Sequence, residues 1–315
     1  MTQLEVSPTA LRRRGELLVA MRKFFWENGF LEVETPLLAG EVIPELHIEP
    51  ICLDTKGSPQ WLQASPELHM KRLVAAGMPA IFQVTRSFRG HELGPLHNPE
   101  FTIVEWYRTG DDLATGMDFL DQLFQFVLES PPAKRTSYAE AFHAHVGLCP
   151  HSATVLELAE RTAALNIDPP DGLRQEVRDE WLNLLLAFQV EPKMGRIGPE
   201  ILYDYPASQA ALAKVVTRED GHQVAERFEM VWHGVELANG YHELTDAVEL
   251  RQRLIEVNAA RASEGRAILP LPESLLHAMD LGLPNCAGCA LGFDRLAMLA
   301  LGESSLDAVR AFTND

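Results

Sequence analysis

The sequence predicts an α+β fold in which a mostly antiparallel sheet is flanked by helices. Three observations predict it. Strand-like runs gather toward both ends of the chain, helical stretches fill its middle and flanks, and the regular strand–helix alternation of a parallel sheet is missing. With 315 residues and 46% hydrophobic content, the chain can bury a substantial core. No internal repeat or long low-complexity linker divides it; the length allows one large domain or two small ones, and a single domain over 1–315 is expected.

Punctuation sets the first elements. Ser7 caps a helix that has Pro8 at its first position, and Gly29 in "ENGF" supplies a left-handed stop. "FLEVETPLL" then reads as a strand ended by Pro36, followed by a loop to about residue 60. "SPELHMKRLVAAG" repeats the Ser-Pro start and Gly stop, which predicts a helix from Pro66 to about Ala76. "AIFQVTRSFR" and "FTIVEWYRTG" are strands. Between them lie the eleven residues of "GHELGPLHNPE", a long hairpin loop of the kind that often carries function. Alternation in the second strand puts Phe101, Ile103 and Glu105 on one face, with Glu100, Thr102, Val104 and Trp106 on the other.

Residues 111–190 read as mostly helical, with breaks at "SPP" and "IDPPDG". Strands return at "EILYDYP", "ERFEMVWHG" and "VELANGYHEL", and a helix follows from about Asp246 to Ala262 with Thr245 as its cap. The last elements are a short strand over 288–292 and a helix from Phe293.

Charge and composition narrow the function classes. The 27 Lys and Arg against 45 Asp and Glu leave a net charge of −18, which argues against an extended polyanion surface and leaves only local basic clusters such as "LRRRGELL". Four cysteines are too few and too scattered for a disulfide framework. The N-terminus lacks a signal-like apolar stretch and no run is long enough to span a membrane, so a cytoplasmic protein without membrane partners is expected.

Three segments hold the chemistry-bearing residues. In "RSFRGHELGPLHNPEFTIVEWY", Arg86 and Arg89 lead into the turn, with His97, Asn98 and Glu100 just past it. Two arginines and a histidine can grip a phosphate, or lace a surface hairpin with ion pairs. In "RFEMVWHGVELANGYHELTDA", Glu229, Glu236, Glu243 and Asp246 supply oxygen ligands suited to Mg²⁺, or simply a solvated acidic face. In "NCAGCALGFDRLAMLALG", Gly288 and Gly292 allow close approach of a nucleotide beside Arg295, or tight strand–helix packing. Its Cys286-x-x-Cys289 has no second pair for a structural zinc and precedes the helix start, so the thiols read as core residues.

Together these segments resemble the catalytic domain of class II aminoacyl-tRNA synthetases, in the lysine-specific branch. "GFLEVETPLL" resembles the first motif of the class (about 12–38), the Arg-bearing strand–loop–strand the second (about 80–108), and "GCALGFDRLAML" the third (about 286–302). The layout is similar to that of catalytic-domain-only relatives that modify elongation factor P. "SPELHMKRL", "HNPEFTIVEWYR", "YPASQAALA" and "ELANGYHELTDA" all resemble that family's segments. The first motif's helix begins near residue 8, so no anticodon-binding barrel is expected.

The resemblance implies a homodimer that activates (R)-β-lysine or lysine with ATP and Mg²⁺ and passes it to elongation factor P; tRNA is not the expected acceptor. It implies Arg89 and Arg295 as catalytic groups on the α- and γ-phosphate sides. Gly90, His91, His97, Asn98, Phe101, Glu236, Leu237 and Gly292 would bind the nucleotide, with Phe101 stacking on adenine and Glu229 and Glu236 holding the metal. Ser65, Pro66, Glu67, Tyr107, Asn239, Glu243 and Ala290 would line the substrate site. Two positions depart from the lysyl-tRNA synthetase pattern: His91 stands where a Glu is usual, and Ala290 where Gly is usual. The elongation factor P-modifying relatives share the Ala. A truncated tRNA-acylating enzyme and a non-catalytic regulatory paralogue are the competing readings; net charge −18 weighs against the first, and retention of Arg89, Arg295, Glu236 and Glu243 against the second.

Overall fold

The computed structural model describes residues 6–55 and 57–312. In chain order the elements begin α1 (Pro8–Glu27), β1 (Leu31–Glu32), β2 (Leu38–Ala39), β3 (Cys52–Thr55), β4 (Ser58–Leu62), α2 (Glu67–Ala75), β5 (Ala80–Phe88) and β6 (Glu100–Thr109). There follow α3 (Leu113–Leu128), β7 (Lys134–Ser137), α4 (Tyr138–His145), α5 (Val155–Ala164), α6 (Arg178–Leu185), β8 (Glu200–Pro206), β9 (Val215–Thr217), β10 (Gln223–Trp232) and β11 (Val235–His242). The last are α7 (Ala247–Ser263), α8 (Glu273–Gly282), β12 (Cys286–Gly292) and α9 (Phe293–Ala300).

The chain divides into two compact units. The first takes the described residues through Asp112, Phe126–Leu128, and the described residues from Leu244 onward; the second takes Leu113–Gln125 and Glu129–Glu243. In the first unit the strands run in the order β1-β5-β6-β12. β1 pairs parallel with β5, while β5–β6 and β6–β12 are antiparallel and unbroken in register. The absence of a bulge in β6 preserves the two faces expected from its alternation. Leu17, Met21, Phe24 and Phe25 form the buried stripe of α1, at the three- and four-residue spacing of an amphipathic helix. Phe25 stacks on Phe82 with ring centroids 4.4 Å apart and sits 5.3 Å from Trp106. Ser7 caps α1, accepting from the Ala10 amide at 3.1 Å, and Gly29 takes φ 79° at its end.

In the second unit the order is β11-β10-β8-β7, with β9 also on β10. β7 and β8 are parallel and the rest antiparallel. Tyr138, Phe142, Leu158, Trp181, Leu185, Leu202 and Tyr205 are among the buried residues of this unit's core.

Four details depart from the sequence expectations. The strand expected from Phe30 to Pro36 is shorter, since only Leu31–Glu32 pairs with β5, and Leu38–Ala39, expected as loop, joins a small separate sheet ordered β2-β4-β3. Pro36 between them lacks an N–H and disfavours a continuous ladder. The cap of α7 is Asp246 rather than Thr245, its Oδ1 accepting from Val248 and Glu249 amides at 2.8 and 3.0 Å. The final strand starts at Cys286, two residues earlier than expected. β3, β4, β7, β9 and α8 lie in stretches to which the sequence assigned no such element, β3 and β4 in the expected loop to about residue 60 and just past it.

Candidate active site

Arg89 follows β5, and its amide donates to the Pro99 carbonyl at 2.9 Å, closing the hairpin base. Its guanidinium lies over the Phe101 ring, 5.0 Å from the centroid, and 3.8 Å from a Glu92 oxygen. Its Nε is buried without a hydrogen-bond partner, a donor whose desolvation an incoming anion would offset. Gly90 passes so close to the chain at Glu49 that its amide donates to that carbonyl at 2.7 Å; a Cβ would sit 3.1 Å from the same oxygen. His91 is exposed at φ 65°, and Glu92, one place later, carries the carboxylate beside Arg89. Arg86 does not join Arg89. It pairs in register with Thr102 and donates to that hydroxyl at 2.8 Å, on the opposite face from Phe101.

The tip of the same hairpin is fastened to α9. Arg295 donates from Nε to the Leu96 carbonyl at 3.0 Å and from Nη2 to His97 Nε2 at 2.7 Å. Burial first, then the adjacent Arg295 cation, lowers the His97 pKa and keeps its ring neutral and able to accept. Asn98 is buried and donates to the Glu100 carbonyl at 2.5 Å. Beside Arg295, buried Asp294 accepts from the Thr102 amide at 3.0 Å and from Arg14 at 2.5 Å, joining α9, β6 and α1. Fully buried Arg261 of α7 donates to the Glu45 carbonyl at 2.8 Å and to Glu49 at 2.9 Å, propping the segment on which Gly90 rests.

A second cluster lies on the β6 face opposite Thr102. Ile103, Glu105 and Tyr107 stand in register with Gly292, Ala290 and Gly288 of β12. On β12 the Ala290 methyl is the side-chain carbon in register with Glu105, between two glycines. Glu105 is 1% exposed and accepts from Ser65 Oγ at 2.6 Å and from the Tyr107 hydroxyl at 2.7 Å. Ser65 also receives the Glu67 amide at 3.0 Å, and Pro66 opens α2. One turn on, buried Lys71 donates to Glu67 Oε1 at 2.5 Å. Burial, then the Glu67 charge, raises the Glu105 pKa to about 8. Ser65 and Glu67 also line a small cleft with Glu41, Trp61 and His69.

In the second unit, β10 and β11 pair Glu229 with Asn239 and Arg227 with Tyr241, so these four share a face. A register shift between Met230 and Val231 skips Leu237 and sets Glu236 opposite Val231. That bulge turns Glu236 to the face of Glu229, from which unbroken alternation would exclude it. Glu229 Oε1 is ion-paired with Arg227, whose own pKa is raised by Glu229 against the opposing effect of burial. Asn239 Oδ1 is buried without a hydrogen-bond partner, and Glu243 is 1% exposed just past β11. Among the described residues no group of three or more His, Cys, Asp or Glu side chains could hold a metal. Two carboxylates sharing a face do fit Mg²⁺, which takes one or two carboxylates and keeps water and phosphate ligands.

Cys286 and Cys289 are buried and lie three apart on one strand, so they point to opposite faces and cannot share a metal or a disulfide. The sequence placed Glu105 on the face of Phe101 without giving it a role, and it passed over Lys71 and Arg227. A lone acid inside the apolar run "FTIVEWY" was the available signal for Glu105: buried acids need partners. For Lys71 the signal was the i, i+4 spacing from Glu67.

The tRNA synthetases class II (D, K and N) family matches residues 3–315. The chain is 45% identical over 311 residues to the elongation factor P--(R)-beta-lysine ligase of Salmonella gallinarum, covering 97% of this chain and 95% of that one. The proteins of the same name from Salmonella paratyphi B and Salmonella schwarzengrund are each 44% identical, with the same coverage.

Proposed function

This chain belongs to the class II tRNA synthetases of the D, K and N group, and from that premise we propose that it is an ATP-dependent ligase joining (R)-β-lysine to elongation factor P. The observation that carries the reading is the 45% identity to a ligase of that name across 97% of this chain. In the first step the substrate carboxylate attacks the α-phosphorus of ATP and pyrophosphate leaves. In the second, a lysine amine of elongation factor P attacks the acyl carbon, an amide forms, AMP leaves and the amine's proton passes to solvent.

No side-chain nucleophile is needed, because the carboxylate supplies the attacking oxygen; the chain's task is to hold two anions in line and offset their charge. Arg89, with its unpartnered Nε, suits the α-phosphate, and the Phe101 ring beside it offers a flat face for adenine. Gly90, His91, Asn98, Leu237 and Gly292 complete the nucleotide contacts. Arg295, fixed by Leu96 and His97, takes the γ-phosphate side. Mg²⁺ held by Glu229 and Glu236 would neutralise charge on the phosphates.

Ser65, Pro66, Glu67, Tyr107, Asn239, Glu243 and Ala290 form the substrate set, to which Glu105 is added on its bonds to Ser65 and Tyr107. The acidic cluster suits an amine-bearing substrate. A homodimer through the first-motif region is part of the reading, supported by exposed Trp26, Leu31 and Leu37. So is a cytoplasmic setting; no described helix is long and apolar enough to cross a membrane. ATP–pyrophosphate exchange tests the first step. Exchange stimulated by (R)-β-lysine more than by α-lysine is expected, and no exchange with either isomer overturns the reading.

A further inference from the structure

Two carboxylates flank Ser65 in the first unit, and their surroundings differ. Glu67 is paired with the ammonium of Lys71 at 2.5 Å, and that lysine is 1% exposed. Glu105 is equally buried, yet its hydrogen bonds come from two hydroxyls, Ser65 and Tyr107, and no basic side chain pairs with it among the described residues. The neighbouring strands add no charge: β5 presents Gln83 and β12 presents Ala290 in register with Glu105. The titratable groups facing Glu105 are therefore Glu67 and Lys71 from α2 and Tyr107 from β6. An isolated ionised carboxylate in such a place is strongly disfavoured, and a buried carboxyl without a cation keeps its proton.

We infer that this pocket takes its substrate by exchange: Glu105 holds a proton in the free protein and releases it to solvent as a substrate ammonium docks, while Lys71 holds the Glu67 side chain in place beside it. The exchange balances charge, since one cation enters as one proton departs. Lys71 acts through Glu67 and is a positioning residue. The pocket then rejects neutral isosteres of the ammonium: without an incoming positive charge Glu105 has no reason to ionise and the carboxyl–ligand pair gains nothing. The inference rests on the proposed amine substrate, and burial together with the Glu67 charge, which hold the Glu105 pKa near 8, supports it.

Isothermal titration calorimetry of the full chain, with Mg²⁺ and a non-hydrolysable ATP analogue, tests it. (R)-β-Lysine is titrated at pH 7 in buffers of differing ionisation enthalpy. The observed heat is expected to vary with buffer, with a slope of about one proton released per substrate, falling toward zero above pH 9. Glu105→Gln is expected to abolish the buffer dependence. Lys71→Arg, which keeps a cation against Glu67, is expected to keep the count at one. Binding with buffer-independent heat in the unaltered chain overturns the exchange but leaves the ligase reading standing. A folded, substrate-binding Lys71→Arg variant whose count departs from one overturns the part assigned to Lys71. No binding of the amine at all overturns the ligase reading as well.

Discussion

Gly240 of β11 faces Phe228 of β10 in register, and the aromatic ring occupies the space a side chain would need. A Cβ on Gly240 would lie 2.2 Å from the ring Cζ and 2.6 and 2.8 Å from its two Cε atoms. Carbon pairs ordinarily rest about 3.5–4.0 Å apart, so the ring must move by an ångström or more. It has little room to do so, because Phe228 is fully buried. Gly240→Ala therefore overpacks the hairpin and is expected to cost about 1–3 kcal/mol. Gly240 lies between Asn239 and Tyr241 on the strand opposite Glu229, so pyrophosphate exchange is expected to fall as well. Denaturant midpoints of Gly240→Ala, Phe228→Leu and the double variant measure the steric coupling. The double variant should be at least about 1 kcal/mol more stable than the two single effects sum to, since the smaller side chain makes room for the methyl. A Gly240→Ala protein within about 0.5 kcal/mol of the unaltered chain, or a double variant that is merely additive, refutes the reasoning.

Asp294→Ala leaves Arg14 and the Thr102 amide without their buried partner and is expected to cost about 3–5 kcal/mol in denaturant titration; a loss under about 1 kcal/mol contradicts the role given to this junction. Arg295→Ala removes a phosphate-side cation and is expected to lower pyrophosphate exchange by about 10²–10³-fold while the protein stays folded by circular dichroism; unchanged exchange refutes its assignment. Glu105 keeps its proton in the folded state up to about pH 8, whereas the unfolded chain loses it near 4.5, the ordinary value. Its contribution to stability is thus fully present below pH 4.5 and is lost as pH rises toward 8, by up to about 1.4 kcal/mol per pH unit. Glu105→Gln removes that slope, so its stability relative to the unaltered chain should climb between pH 5 and 8 by roughly 3 kcal/mol; a flat difference contradicts the buried neutral acid.

What was legible in the sequence followed from local rules. Ser7, Pro8 and Gly29 bound α1 because caps and stops act over a few residues, and the alternation in "FTIVEWY" gave the faces of β6 because no bulge interrupts it. The hairpin loop with Arg89, His97 and Asn98, and the turn into α9 with Arg295, were readable from Gly, Pro and charge placement. The rest depended on contacts distant in sequence. Nothing local ties Asp294 to Arg14, which lies 280 positions away, or Arg261 to Glu49. The face on which Glu236 lies depends on a register shift that strict alternation would have missed. Arg86 looked like a partner for Arg89 because both precede the turn, yet their odd separation on and just past one strand sends them to different faces.

The most direct test of the ligase account follows elongation factor P itself. Purified chain, ATP, Mg²⁺ and (R)-β-lysine are incubated with elongation factor P or with tRNA, and the intact mass of each acceptor is measured alongside pyrophosphate. The account predicts that elongation factor P gains one β-lysyl group in an ATP-dependent reaction, that tRNA gains none, and that Arg89→Ala abolishes the gain. Pyrophosphate release with no mass added to elongation factor P, or acylation of tRNA in its place, would contradict it.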